Sequence, residues 1–523
     1  LGGLLYRSND RACDDLAGAW TQTAKNEAKL MHDDSAIRVL DAVKALAFVG
    51  DLSMGQPTDH SMRTGWLAGR LAADAGHDDA QCGVVKEVSL LRWSGCTANA
   101  AGFSEWLGDD ISSRADMLAM RPGWAGDDES PGRFGAAITP LAEIHCEVSG
   151  EVARMLGLAG ATQLALRHIF ESWDGGGFPH QMQGGNVPDA VFLVALAGDI
   201  EIFSRIYGVE QAKALIRQKA GHQYPQALAQ LALDRAAKWL DELEQWSTSA
   251  HDEPLNTQPM QQTSAPEIIA DVIDLKLPWM AGYSRRVAKA SAACCARLGL
   301  GEEKERRVYL AGLIHGMGRA AVPNAIWNTP GRLPTAAWEK VRLVPYWTAR
   351  AGKQIGALAR ESEIASLAYE RLDGSGYFRG AEGGGIAREG QVLAAAAAWV
   401  ALRSKRPWRE ALSPEDAAAL LREQASAGRF NADAVRALTS NECDGYDGGV
   451  MGNKPRTAQA TLLSPRESEV LRHISLGASN KEVAKVLELS PSTVRTHVES
   501  VFRKLDCSTR AAATLKASTL KLI

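Results

Sequence analysis

"YERLDGSGYFRGAEGGGIAREGQV" (369–392) has a counterpart much earlier in the chain, "FESWDGGGFPHQMQGGNVPDAV" (170–191). Phe170 aligns with Tyr369, Glu171 with Glu370, Asp174 with Asp373 and Gly177 with Gly376. A second pair also lines up: "LLRWSGC" (90–96) with "LIHGMGR" (313–319). Two matches in the same order point to a duplicated domain. Around them Ala, Leu, Arg and Glu dominate at helical spacing. Leu67, Leu71 and Ala75 share one face of the 60–76 stretch, and Val287, Ala290, Cys294 and Leu298 share one face of 284–300. Strand-type alternation is scarce, so the fold class is all-α. Within the repeated loops Glu171 and Glu370 are expected to hydrogen-bond the Gly-rich segments. Gly175, Gly177, Gly374 and Gly376 are expected at turns that need positive φ.

Two polar stretches, 247–266 and 441–461, have the Ser/Pro/Gln or Gly/Asp/Asn content of linkers. They divide the chain into a first copy (28–246), a second copy (267–440) and a small C-terminal domain (462–523). A Gly/Asp/Pro-rich segment, 121–135, reads as a surface loop. The 523 residues are 46% hydrophobic and 23% charged, which fits a globular chain and excludes a disordered one. A net charge of −4 excludes wholesale polycationic coating of nucleic acid. No apolar run approaches the roughly 20 residues that span a bilayer, and no signal peptide opens the sequence. The eight cysteines show no CxxC spacing, and Cys294 and Cys295 are adjacent. Free thiols in a reducing cytoplasm are expected, hence a cytoplasmic protein without membrane partners.

The C-terminal part can be parsed from its caps. Ser464-Pro465-Arg466-Glu467 is a capping box with Pro at the first helical position, and Ser479-Asn480-Lys481-Glu482 is another, opening a helix through Leu487. Glu488-Leu489-Ser490 forms a tight turn, and Ser490-Pro491 starts the next helix. Two helices so joined make a helix-turn-helix. Val494, Val498, Val501, Phe502 and Leu505 fall on a buried face; Arg495, Thr496, Glu499 and Arg503 fall on the open one. From Ser464 onward ten Lys/Arg face six Asp/Glu, so a basic module is attached to an acidic body.

The whole of this module, including "SPSTVRTHVESVFRKL" (490–505), resembles the LuxR-type helix-turn-helix. The resemblance implies double-stranded DNA as partner. It places Arg495, Thr496 and Glu499 at base edges, and Thr493, Lys504 and the Ser490 and Ser492 helix start at phosphates. His497 is left between a phosphate bond and packing. Glu499 departs from the basic or small residue often found there. From Ser508 a further helix with Ala511, Ala512, Ala513, Leu515 and Ala517 offers a small-residue face for packing against a twin. A homodimer is expected, with most of its contact area supplied by the body.

The two copies, through "ERLDGSGYFRG" (370–380) and "AVPNAIWNTPGRLPTAAWEKVRLVPYWTARAG" (321–352), resemble the HD superfamily of metal-dependent phosphohydrolases and its HD-GYP branch. The family's ligands carry over poorly. In the first copy the early His is His60 and a later one His145, and the late Asp is Asp199. The His-Asp pair has become Arg92-Trp93, and the His-His pair Ile169-Phe170. In the second copy the corresponding positions are Tyr283, His315-Gly316, Val344, Ala368-Tyr369 and the carboxylate-free "LAAAAAWV" (393–400). A divalent metal needs several converging N or O donors. His60, His145, Asp199 and His315 are therefore vestigial candidates, with no metal, no catalytic residue and no cofactor expected. Their plain readings are a core His for His315, a helix start for His60 with Asp59 near the N-cap, and an ion pair with a cation such as Arg92 for Asp199.

The sequence thus reads as a sequence-specific transcriptional regulator on a catalytically dead sensing or dimerising body, with a small molecule or nucleotide as an open partner for the old cleft. The rival readings are an active phosphohydrolase fused to a DNA-binding domain, and a scaffold that binds only proteins.

Overall fold

The computed structural model describes residues 36–124, 131–246, 255–440 and 462–523. The start of the first copy (28–35), residues 247–254 and the whole 441–461 stretch lie outside the described residues. The first copy runs through α1 (Val39–Ser53), α2 (His60–Asp74), α3 (Asp79–Leu91), α4 (Ala100–Leu107), α5 (Asp110–Leu118), α6 (Pro131–Met155), α7 (Gly160–Arg167), α8 (Asp189–Tyr207), α9 (Val209–Lys219) and α10 (Gln226–Gln245). The second repeats the order with α11 (Glu267–Asp274), α12 (Tyr283–Arg297), α13 (Glu302–Ile314), α14 (Asn324–Trp327), α15 (Thr335–Arg342), α16 (Val344–Gln354), α17 (Ala359–Ala365), α18 (Arg388–Leu402), α19 (Pro414–Ser426) and α20 (Ala432–Thr439). The C-terminal domain holds α21 (Pro465–Ser475), α22 (Asn480–Val486), α23 (Pro491–Leu505) and α24 (Arg510–Thr519). Two short strands, β1 (Ile37–Arg38) and β2 (Thr263–Ser264), pair antiparallel with Ile37 opposite Ser264.

Helix α1 is buried at every position, Asp41, Lys44 and Asp51 included. It packs on α2, α3 and α11 and on a 3-10 turn of the second copy, Met317–Ala321. The two copies consequently share one apolar core. Buried polar groups cross-link them. Lys276 pairs with Asp110 at 3.0 Å, Asp110 also accepts the Asn324 N–H at 2.7 Å, and the Asn324 side-chain amide donates to the Lys276 carbonyl at 2.9 Å.

Composition misleads at two places. Residues 255–266 form part of the body and no free tether: Leu255 and Met260 are fully buried, and the Thr257 hydroxyl donates to Glu87 at 2.6 Å. Within 121–135, residues from Pro131 onward already belong to α6, while 125–130 lie outside the described residues. Ala75, placed on a buried face by its spacing, is exposed just past the end of α2.

The repeated loops fold as their glutamates suggest. Glu171 accepts the N–H groups of His180 (2.8 Å) and Met182 (2.9 Å); Glu370 accepts those of Arg379 (2.8 Å) and Ala381 (3.1 Å). Gly175 and Gly374 do have positive φ, at 84° and 74°. Gly177 and Gly376 do not. They are glycine because a Cβ would run into the backbone of Glu171 and Glu370.

The C-terminal domain has its own small core around Val470, Leu471, Ile474, Val483, Val494 and Val501. Its last helix is shared. Ala513 and Ala517 of α24 face that small core, whereas Ala512 and Leu515 join the core of the body, where α24 meets α6 and α11. Glu147 of α6 accepts from the Ser508 N–H at 2.6 Å and from its hydroxyl at 3.0 Å, and Lys516 lies 3.5 Å from Glu151. The small-residue face that the sequence offers to a twin is therefore covered by the chain's own body. Among the described residues no helix is long and apolar enough to cross a membrane. The described cysteines are all free thiols, and all but Cys507 are buried.

Candidate functional site

Each cleft opens on a carboxylate set by local sequence. Asp51, at the end of α1, accepts the Ser61 hydroxyl at 2.6 Å and its N–H at 3.1 Å; Asp274, at the end of α11, accepts the Ser284 hydroxyl and N–H at 2.7 Å each. The Asp-to-Ser spacing is the same in both copies (51 to 61, 274 to 284), a signal present in the sequence and not read from it. Burial pushes Asp51 up to about 7 against the pull of His60, and Asp274 up to about 6 against that of Arg319.

In the first cleft His60 is fully buried, and its Nδ1 lies 2.7 Å from Glu201. His60 is the first residue of α2 with Asp59 at the N-cap position, as its plain reading has it; Asp59 makes no capping bond, and the His60 ring is a buried partner of Glu201. Its Nε2 has no hydrogen-bond partner. Burial works against the Glu201 charge, but His60 and the Arg205 guanidinium outweigh it and hold the carboxyl at about 2. Arg92 is buried with its guanidinium 4.0 Å above the Trp93 ring and a long bond, 3.4 Å, to the Val194 carbonyl. A Cβ at Gly198 would collide with that guanidinium. Burial lowers Arg92 to about 10, opposed by nearby Asp199. The close ion pair of Asp199 is not with Arg92 but with Lys219, at 2.7 Å. His145 turns away from any ligand role: its Nε2 lies 2.7 Å from the Arg92 carbonyl and its Nδ1 3.6 Å from the Cys96 thiol. Burial brings it down to about 3.

In the second cleft Gly316 follows a fully buried His315. His315 places Nδ1 2.6 Å from the Gly312 carbonyl and Nε2 2.7 Å from an Arg319 nitrogen. Both ring nitrogens are engaged, as for a core histidine, and burial, with Arg319 adding to it, lowers its pKa to about 3. Arg319 lies 3.6 Å from Asp274, donates to the Tyr369 hydroxyl at 3.2 Å and sits over the Tyr283 ring. A Cβ at Gly316 would come within 2.5 Å of its guanidinium. In both copies, then, a glycine leaves room for an arginine at the centre of the cleft. Among the described residues no group of three or more His, Cys, Asp or Glu has metal-holding spacing. Sequence reasoning missed Glu201, Asp51, Asp274 and Arg319.

The C-terminal domain brings its polar residues to one surface. Capping boxes close α21 at Ser464/Glu467 and α22 at Ser479/Glu482. Ser490 caps α23, accepting the Thr493 N–H at 3.0 Å, with the Ser492 and Thr493 hydroxyls 2.7 and 2.8 Å away. Val494, Val498, Val501 and Leu505 are buried; Phe502 and His497 are half-buried. Arg495, Thr496, Glu499 and Arg503 are exposed, with Arg495 paired to Glu499 at 2.9 Å. Lys504 is not free toward a phosphate: it pairs with Glu467 of α21 at 2.7 Å. Burial opposes the Glu467 charge, yet Lys504, the Ser464 N–H and the Ser500 hydroxyl bring its carboxyl to about 2.

Residues 461–517 match the family described as bacterial regulatory proteins, luxR family, and residues 267–433 match an HD domain. With the helix-turn-helix geometry, these matches give the chain a LuxR-type helix-turn-helix domain at 461–517 and an HD domain in its second copy. Its relatives divide along the same line. The body is similar to the 3'3'-cGAMP-specific phosphodiesterase 3 of Vibrio cholerae, 24% identical over 408 residues, which cover 71% of this chain and 88% of that protein. That span is too long for the second copy alone, so the likeness takes in both copies. The cyclic di-GMP phosphodiesterase response regulator RpfG of Xanthomonas campestris is 30% identical over 30% of this chain and 42% of its own length. The probable transcriptional regulatory protein NarL of Mycobacterium tuberculosis is 44% identical over 78 residues, 14% of this chain and 36% of that protein. A crystal structure of a cyclic GMP-AMP specific phosphodiesterase of Vibrio cholerae has the same fold, at a TM-score of 0.55 and 21% identity over 77% of this chain and 97% of that one.

Proposed function

We propose that this chain regulates transcription by binding specific DNA through α23, and that its tandem HD-like body is a sensing and dimerising module that hydrolyses nothing. One observation carries the second half. Each cleft gives its centre to a buried guanidinium, Arg92 beside Gly198 and Arg319 beside Gly316. A fixed positive charge there repels a divalent cation, and Trp93, Gly316, Val344 and Ala368 supply no ligating side chain. The phosphodiester chemistry for which the Vibrio cholerae and Xanthomonas relatives are named needs metal-activated water, and this donor set does not fit that metal. The body then keeps the fold of a hydrolase without its reaction, and a change in the body reaches DNA through the contact with α24.

The test combines metal content, turnover and assembly on the full chain. After incubation with Mn²⁺ or Fe²⁺ the protein is expected to retain less than about one ion per chain. It should leave 3'3'-cGAMP and cyclic di-GMP intact while binding duplex DNA with salt-dependent affinity. Sedimentation should show a homodimer. Stoichiometric metal with turnover would make the protein a phosphohydrolase fused to a DNA-binding domain, and DNA binding indifferent to sequence would remove the regulator.

A further inference from the structure

Rings on the Gly-rich loop of each copy meet rings from neighbouring helices, and the two copies finish this aromatic cluster differently. In the first, Phe178 of the loop meets Phe134 of α6 at 5.9 Å. Trp106 of α4 and Trp124 close over Phe134 at 5.8 and 5.7 Å, and all four rings are half-buried. In the second, Tyr377 of the loop meets Trp338 of α15 at 5.5 Å, and Phe378 meets Tyr346 of α16 at 5.8 Å. The covering indoles of the first copy come from residues 93–145; the corresponding stretch of the second, 316–344, is shorter. Trp338 is left 41% exposed, Tyr346 37%, and Leu343, in the turn between the two helices, 45%. A contiguous apolar face of this kind marks a contact surface, and Trp and Tyr dominate the centres of protein interfaces.

Its rim selects the partner. Arg342 lies 3.2 Å from Glu339, Arg379 2.8 Å from Glu363, and Lys340 3.7 Å from Asp109. With each of these cations matched by an acid, the rim offers no surplus field to nucleic acid or to an anionic membrane. Acids and bases side by side can instead exchange partners across a two-fold axis, where one patch meets itself. A two-fold axis is what palindromic DNA requires, and the α24 face that could supply it lies against the body. Three side chains make a centre and not a whole interface, since a stable pair buries about 800 Å² on each side. The remainder falls to the polar rim of α15 and α16.

We propose that α15 and α16 of the second copy form the face through which two copies of this chain pair, with Trp338, Leu343 and Tyr346 at its centre. This rests on the reading of the body as a dimerising module and names the surface it uses. Sedimentation of the full chain at micromolar concentration tests it. The unaltered chain should be dimeric. Trp338→Ala and Tyr346→Ala should each raise the dimer dissociation constant by about 30-fold or more, the loss expected of a central aromatic. Trp408→Ala, 46% exposed on the segment after α18, should leave it unchanged. Circular dichroism checks that each variant keeps its fold. Leu343→Cys gives a second reading: a short bifunctional maleimide should link it into covalent dimers well beyond any that the unaltered chain forms. A dimer that both alanine variants leave equally tight overturns the face and keeps the dimerising body, as does a dimer in which Leu343→Cys adds no link. An unaltered chain that stays monomeric removes the dimerising reading itself and this face with it. A monomer that sediments with lipid vesicles only while Trp338 is present would assign the face to a membrane, and the proposal falls.

Discussion

Gly316 and Arg319 depend on each other, since the glycine's missing side chain is the space the guanidinium fills. Replacing Arg319 with Met leaves Asp274 buried without its ion-pair partner. Removing one partner of a buried pair costs about 3–5 kcal/mol, so R319M should lower unfolding stability by about that amount in urea titrations at neutral pH. Asp274 is raised to about 6 by burial. Its folded form therefore takes up a proton more readily than its unfolded form, and protonation removes the stranded charge. Because Arg319 is what pulls Asp274 down to that value, R319M lets it rise further, and the stability lost should shrink as pH falls toward about 6. A loss that is the same at pH 7.5 and pH 5 would show that Asp274 is not the affected partner. His145 has the opposite sign. Its folded value of about 3 lies below the ordinary 6.5, so the unfolded chain binds the extra proton and stability falls as pH drops from 6.5 toward 3. Imidazole NMR signals should show His145 neutral across that window; a titration near 6.5 would contradict its burial.

At the scale of the element, α23 carries the reading of DNA. The Arg495–Glu499 pair is exposed on both sides and, as a surface pair one helical turn apart, is worth only about 0.3–0.5 kcal/mol. It is easily exchanged for a base edge. R495A should relax sequence preference by about 1–3 kcal/mol in competition binding. R503A should weaken all sequences alike and reduce the salt slope by about one. K504A should do neither, because Lys504 is held by Glu467; an equal loss of salt slope in both variants would restore Lys504 to the phosphate contacts. The caps of α21, α22 and α23 could be read directly from sequence because capping acts over three residues. The Glu171 and Glu370 loops were legible for a similar reason, local bonds repeated in two copies. Lys504 with Glu467, His60 with Glu201, and Lys219 with Asp199 were not, since only the folded chain brings such partners together. Composition failed at 255–266, where two apolar anchors in a Pro- and Gln-rich stretch decide its fate.

For the whole molecule, the decisive feature is that α24 cannot serve two partners at once. Ala512 and Leu515 are committed to the body, and Ser508 is tied to Glu147. Binding to a palindromic site requires two helix-turn-helix domains in two-fold relation. If they pair through the α24 face, each must first leave its body, and the free energy of that release is subtracted from DNA affinity. The fragment from about residue 460, which keeps its own core, carries no such handicap per domain. E147A removes two hydrogen bonds at the contact without touching the core of either part. At about 0.5–1.5 kcal/mol for each bond, it should raise the affinity of the full chain for palindromic DNA about fivefold or more while leaving binding to a single half-site unchanged. Fluorescence anisotropy with both DNAs reads the difference. If E147A gains equally on both, the contact screens α23 itself and not the pairing face; if it gains on neither, the docked arrangement exerts no hold on DNA binding.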